Sequence, residues 1–139
     1  MKKFTLAFIV LIIAFAASAT AQIKESPKPE PEQVGSYRMG VIKLYKVADT
    51  FEIKGLVKQD VTTIMTVSLG TKEQAVAIIQ SMLDYSGKET VPLNNPSDNI
   101  ARNMGAMMGG WEIGITQMFA SSIMVSKGEL KKMLKAINE

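Results

Sequence analysis

Cysteine and histidine are both absent from this chain of 139 residues. Without cysteine, the protein has no disulfide framework and no thiol to which a lipoprotein anchor is attached. The two absences together exclude a cysteine nucleophile, a histidine general base, a Cys/His zinc site and the usual pH switch.

Motifs for other chemistries are also missing. No serine is followed three residues later by lysine, and the sequence contains no G-x-S-x-G elbow, phosphate-binding glycine loop, dinucleotide fingerprint or calcium loop. The acidic residues are spread singly along the chain. A hydrolase that uses carboxylates such as Asp98 and Glu112, brought together only in space, remains an alternative.

The first 21 residues predict a secretory signal peptide. Two lysines precede an uncharged apolar run, residues 4–17, and Ala19–Ala21 fits the small-x-small cleavage pattern. We expect cleavage after Ala21, with cleavage after Ala19 or an uncleaved membrane anchor as alternatives. The sequence therefore predicts a secreted protein, periplasmic or extracellular, with no stable membrane insertion after cleavage.

The charge of the processed chain favours no particular partner. Without the two signal lysines, 14 basic side chains face 13 acidic ones. Aromatic and basic residues do interleave on one predicted strand, as in some nucleic-acid-binding sheets: Tyr37, Arg38, Lys43, Tyr45 and Lys46. Because of export and the small net charge, we expect no nucleic-acid binding.

Residues 22–36 predict a flexible tether ahead of a single domain, residues 37–139. Three prolines alternate with Lys28 and Glu30, and almost no side chain is apolar. Such a segment cannot bury enough surface to offset its ordering entropy, so an extended conformation is expected.

The stretch from Val61 to Gly87 organises the predicted fold. Residues 61–69 alternate like a strand with one buried face, and Gly70 ends that pattern. Thr71 and Gln74 then form a capping box ahead of an amphipathic helix, residues 72–85. Residues 41–47 and 51–58 precede it as two further strands joined by short turns, which indicates an antiparallel meander.

The second half of the chain also predicts strands followed by a capped helix. Residues 98–110 have helical spacing but contain three glycines, so a short, weak helix is expected. Residues 111–116 and 119–125 read as a hairpin, and Ser126 with Glu129 caps a C-terminal helix. A row of lysines (Lys127, Lys131, Lys135) favours a solvated helix face, with contact to an anionic membrane as the alternative.

These elements predict an α+β fold: an antiparallel sheet of about five strands with two amphipathic helices on one face, in the order β-β-β-α-short α-β-β-α. The two capped helices have matching apolar positions. Either an ancestral duplication or the shared mechanics of amphipathic helices explains that match.

Methionines beside the single tryptophan form the least ordinary cluster. Met104, Met107, Met108 and Trp111 are the candidate contact residues for a ligand or partner. Thioethers also suit Cu(I), so a carrier of a soft metal or of a small apolar ligand is an alternative, whereas gap-filling in a core is the plainer interpretation. We predict no bound cofactor and no resident metal site.

The function predicted from the sequence is a non-catalytic binding or interaction module, because motifs for catalysis are missing while a packed domain is well specified. Its partner is an unknown protein or small ligand. The contact surface is expected on the open sheet face or in a groove near residues 104–111. Self-association through a strand edge is also open.

Overall fold

Two four-stranded antiparallel sheets, each followed by an α-helix, form the α+β fold of this chain. The computed structural model describes residues 27–115 and 119–139, so the predicted signal peptide, residues 1–21, lies outside the described part. The N-terminal sheet contains β1 (Glu32–Tyr37), β2 (Ile42–Val47), β3 (Thr50–Leu56) and β4 (Ile64–Thr71), and helix α1 (Lys72–Asp84) follows it. The C-terminal sheet contains β5 (Val91–Pro92), β6 (Ile100–Asn103), β7 (Trp111–Gly114) and β8 (Ser122–Val125), and helix α2 (Lys127–Asn138) follows it.

Alternation of apolar and polar residues gives the central strands of the N-terminal sheet one buried face. Leu44 on β2 lies opposite Ile53 on β3, and Ile53 lies opposite Val67 on β4. All three side chains are buried, and they stack in one row across the sheet. Such same-face neighbours are the unit of sheet stabilisation, so the predicted meander is confirmed in these strands.

The predicted α+β class with two amphipathic helices is confirmed, and the count of about five strands is approximate, since the described residues contain eight. One additional strand, β1, begins at Glu32, inside the segment 22–36 that the sequence assigns to the tether. Backbone pairing with β2 orders it, while only Val34 and Tyr37 pack partly against the core. The side chains of β1 therefore show little of the apolar alternation that predicts a strand.

The short helix predicted for residues 98–110 is wrong. The segment forms strand β6 and then a single 3-10 turn at Ala106–Met108. Three glycines explain the difference: Gly105, Gly109 and Gly110 have φ angles of 82°, 96° and 98°, which a right-handed helix excludes. The hairpin predicted next is present as β7 and β8, with Trp111 opposite Val125, and its turn lies partly outside the described residues.

Both helices begin with the predicted capping box. The Thr71 backbone N–H donates to Gln74 Oε1 at 2.9 Å, and the Gln74 N–H donates to Thr71 Oγ1 at 3.4 Å. Ser126 and Glu129 repeat this exchange at 2.8 and 3.1 Å. The buried side chains of the two helices are Ala75, Ile78, Ile79 and Met82 on α1, and Leu130, Met133 and Ile137 on α2.

Replacing Thr71 with alanine is expected to lower the free energy of unfolding by about 1 kcal/mol, because the first turn of α1 loses its side-chain acceptor. Urea denaturation followed by circular dichroism measures this change. Thr90→Ala is the matched control, since Thr90 is an exposed threonine in the segment after α1. Equal stability of the two variants would contradict the cap.

The chain has the same order of elements in both halves, namely four antiparallel strands and then a capped helix. The halves share one core, because buried residues of both sheets and both helices form a single cluster. The two helices also pack against each other, and α2 contacts β1. The predicted repeat of strand and helix therefore extends over the whole described fold, and duplication remains an interpretation of it.

Candidate functional site

A cavity lies between α1 and the segment that includes β5. Its volume is about 390 Å³, which falls within the range of small-molecule sites. Uncharged side chains line it throughout: Gln74, Ala77, Ile78, Ser81, Met82, Tyr85, Val91, Pro92, Leu93, Asn94 and Trp111. We call it the first cavity. It suits an uncharged, mostly apolar group, with a few amide and hydroxyl groups at its wall.

Small side chains on α1 leave room for the first cavity. Ala77 and Ser81 are exposed on the helix and lie on the cavity side, next to the buried Ile78. Residues four apart lie above one another on a helix face, so these short side chains form a shallow strip one turn long. The segment 91–94 faces that strip as the opposite wall.

A buried amide network holds the opposite wall in place. The Asn95 side chain donates to the Ser68 carbonyl at 2.7 Å and to Asn99 Oδ1 at 2.8 Å. The Asn99 side chain donates in turn to the Gly114 carbonyl at 3.2 Å, and the Leu93 N–H donates to the Asn99 carbonyl. The cavity wall is thereby anchored to β4 and β7, one strand from each sheet.

Trp111 and Tyr85 form the aromatic end of the first cavity. Trp111 is the first residue of β7 and is 3% exposed, while Tyr85 is half-buried directly after α1. Their ring centroids are 5.8 Å apart with an angle of 45° between the planes. A tilted pair at this distance is a favourable aromatic contact, and it forms the floor of the first cavity.

A second cavity adjoins the first at this aromatic pair. Its volume is about 310 Å³, and Met82, Tyr85 and Trp111 line both cavities. Its remaining lining residues come from the end of α1, from the end of β6 and the turn after it, and from the start of α2: Leu83, Asn103, Gly105, Ala106, Gly109, Gly110, Ser126, Lys127 and Gly128. The glycines bring backbone close to this space.

The structure separates the four predicted contact residues. Trp111 lines both cavities, whereas Met104, Met107 and Met108 line neither. Met107 is fully exposed, Met108 is 62% exposed and Met104 is half-buried. The methionine-rich segment contributes to the second cavity through Gly105, Ala106 and Gly109 instead.

The acidic residue Glu112 is buried in a polar network on the other face of the C-terminal sheet. Arg102 donates to Glu112 Oε2 from Nε at 2.8 Å, and its Nη2 lies 2.7 Å from the same oxygen. Ser122 Oγ donates to Glu112 Oε1 at 2.7 Å. The Phe119 ring covers the guanidinium, with 4.2 Å from its centroid to the Arg102 Cζ.

Burial alone would raise the pKa of Glu112. The hydrogen bonds from Ser122 and Arg102 and the charges of Arg102 and Lys58 outweigh it, so the net pKa is lowered. The carboxylate is therefore ionised at neutral pH, with both oxygens already accepting hydrogen bonds. This arrangement suits a structural ion pair better than a general base, which needs contact with a substrate.

The interleaved aromatic and basic residues near β2 do not share one surface. Tyr37 lies opposite Ile42 and packs against the core, whereas Lys43 and Tyr45 lie on the outer face. Burial and the nearby charge of Glu129 raise the pKa of Tyr37. On the outer face, the Lys54 ammonium lies 5.0 Å from the centre of the Tyr45 ring. The depression there is only about 90 Å³.

No group of three or more acidic, cysteine or histidine residues is placed to hold a metal ion in the described ranges. Within residues 27–115 and 119–139, no helix has the length and apolar character needed to cross a membrane. Comparisons of the chain with family models, with curated proteins and with solved structures gave no significant match.

Proposed function

We propose that this chain is an exported, non-catalytic binding module, and that the first cavity is its contact site. One observation carries the proposal: a cavity of about 390 Å³ whose lining includes no charged side chain and ends on an aromatic pair. Export rests on the N-terminal sequence, residues 1–21. The group that enters the cavity is apolar, belonging either to a small molecule or to a partner protein.

Burial of apolar surface supplies the affinity in this proposal. The cavity walls are pre-formed, because α1 is capped and the segment 91–94 is anchored through Asn95 and Asn99. A pre-formed site loses little conformational entropy on binding. The polar side chains Gln74, Ser81 and Asn94 then select groups that leave their hydrogen bonds satisfied.

A carrier of Cu(I) that uses the methionine segment remains an untested alternative. The exposure of Met107 and Met108 leaves their sulfur atoms outside both cavities. The first cavity favours the other carrier alternative, a carrier of a small apolar ligand. Such a carrier and a binding module would use the same site.

Filling the first cavity is expected to weaken binding of an apolar probe. Phenylnaphthylamine is uncharged and fluoresces in apolar surroundings, and Trp111, the single tryptophan, reports from the cavity floor. We expect Ala77→Phe to weaken probe binding at least about tenfold, because the ring occupies the space beside Ile78.

Gln80→Phe is the matched control, since Gln80 is an exposed residue of the same helix that does not line the cavity. It adds the same ring and should leave the probe affinity unchanged. Circular dichroism of both variants verifies the fold. Equal probe binding by Ala77→Phe and the unsubstituted protein would overturn the proposed function.

A further inference from the structure

The two adjoining cavities differ in charge. The first is lined without any charged side chain, while the second includes Lys127, the first residue of α2. Among the described lining residues of both cavities, Lys127 is the sole charged one. An apolar compartment therefore lies beside a compartment whose single charged lining residue is an exposed lysine.

The charge of Lys127 is not neutralised by the nearest acidic residue on the same helix. Both carboxylate oxygens of Glu129 accept from Arg38, each at 3.0 Å, and one also accepts from the Ser126 N–H at 2.8 Å. Glu129 is thus engaged with the turn after β1 and with its own cap. Lys127 is exposed, so an anion bound at this edge of the second cavity would meet its side chain without that competitor.

The aromatic pair lies where the two compartments adjoin. Met82, Tyr85 and Trp111 border both cavities, and Tyr85 is only half-buried. Each cavity alone is near the lower end of the range for small-molecule sites. A ligand that uses both must be elongated and must pass beside the Tyr85 ring.

From this arrangement we infer that the ligand is a single-chain amphiphilic anion. Its alkyl tail occupies the first cavity, and its anionic head lies in the second cavity near Lys127. The inference rests on the proposed function for the tail and adds the class of the head group. Charge complementarity decides the orientation, because no charged side chain lines the first cavity.

Three ligands with the same tail and different heads test this inference: octanoate, octanol and octylammonium. Quenching or shift of Trp111 fluorescence at low ionic strength measures their affinities for the processed protein. We expect octanoate to bind about fivefold more tightly than octanol, and octylammonium to bind most weakly. High salt should reduce the preference for octanoate.

Lys127→Gln should remove the advantage of octanoate over octanol and leave octanol binding unchanged. Lys131→Gln is the matched control, because Lys131 is an exposed lysine on the same helix that lines neither cavity. That control should keep the full preference. If octanol binds as tightly as octanoate, or Lys127→Gln keeps the preference, this inference fails while the proposed function stands. If no ligand with this tail binds and phenylnaphthylamine also fails, both fail.

Discussion

Replacing Gly110 with alanine is expected to lower the free energy of unfolding by about 3 kcal/mol or more. Gly110 has a φ angle of 98°, a conformation that residues with a Cβ rarely adopt. An added Cβ would lie 2.7 Å from the Val125 carbonyl oxygen and 2.7 Å from the Ser126 Cα. Both are backbone atoms, at the last residue of β8 and at the N-cap of α2, so neither can move without disturbing the start of α2.

Gly105 offers a matched control in the same loop. Its φ angle is 82°, but an added Cβ would meet nothing within 4 Å. Its ψ angle of 162° places it in a region that essentially only glycine adopts, so Gly105→Ala should show backbone strain alone, about 1 to 3 kcal/mol, and less than Gly110→Ala. Urea denaturation of both variants separates strain from steric conflict. Equal destabilisation would show that the contact with β8 does not limit this position.

Replacing Arg102 with methionine is expected to destabilise the protein by about 3 kcal/mol at neutral pH. The Glu112 side chain is only 2% exposed, and removing Arg102 leaves a buried carboxylate without its hydrogen-bonded countercharge, with only the more distant charge of Lys58 remaining. Arg102 is itself 37% exposed, which places the effect at the lower end for a broken buried pair. Adding Glu112→Gln to this variant should recover part of the loss, since an amide carries no charge to desolvate.

The pH dependence of stability tests this prediction, because its direction follows from the pKa of Glu112. In the unsubstituted protein the folded pKa of Glu112 is lowered, so its stabilisation is complete above the unfolded value of about 4.3 and is lost as the pH falls through the folded pKa. Without Arg102, two of the interactions that lower this pKa are lost, so the folded pKa of Glu112 is higher in the variant than in the parent, and the variant's carboxylate is protonated first on acidification. The stability difference between the two proteins should thus narrow on acidification below about pH 4.

Thermal denaturation at neutral and acidic pH measures this narrowing. Lys54→Met is the control, because the Lys54–Glu52 pair is longer, at 3.3 Å, and its glutamate side chain is 22% exposed. That variant should lose well under about 1 kcal/mol at neutral pH. A gap between Arg102→Met and the parent that stays constant with pH would exclude Glu112 as its cause.

Local patterns predicted the parts of the fold that local interactions determine. The capping boxes at Thr71 and Ser126 and the alternation in β2, β3 and β4 depend on residues close in sequence, and the structure contains all of them. β1, β5 and β6 are different. They are short or polar, and pairing with another strand orders their backbones, so periodicity shows them poorly.

The candidate site shows the same limit. Trp111 is apparent from the sequence as the single aromatic residue in a segment of glycine and methionine. The side of the first cavity formed by α1 is not apparent from the sequence, because Ala77 and Ser81 fit the solvent-exposed face of an amphipathic helix. Their role depends on the approach of residues 91–94, which is set by Asn95 and Asn99 over a long separation in sequence. The small size of Ala77 and Ser81 beside Ile78 is the one available signal.

The contact of α2 with β1 sets the order in which folding can be completed. The Arg38–Glu129 pair and the packing of α2 join the first strand to the last helix, across 91 residues of chain. During synthesis, the N-terminal sheet and α1 emerge first, with their part of the shared core still uncovered. Helix α2 therefore completes the shared core, so the apolar sides of the N-terminal sheet and of α1 stay partly uncovered until α2 has been made and has packed against them.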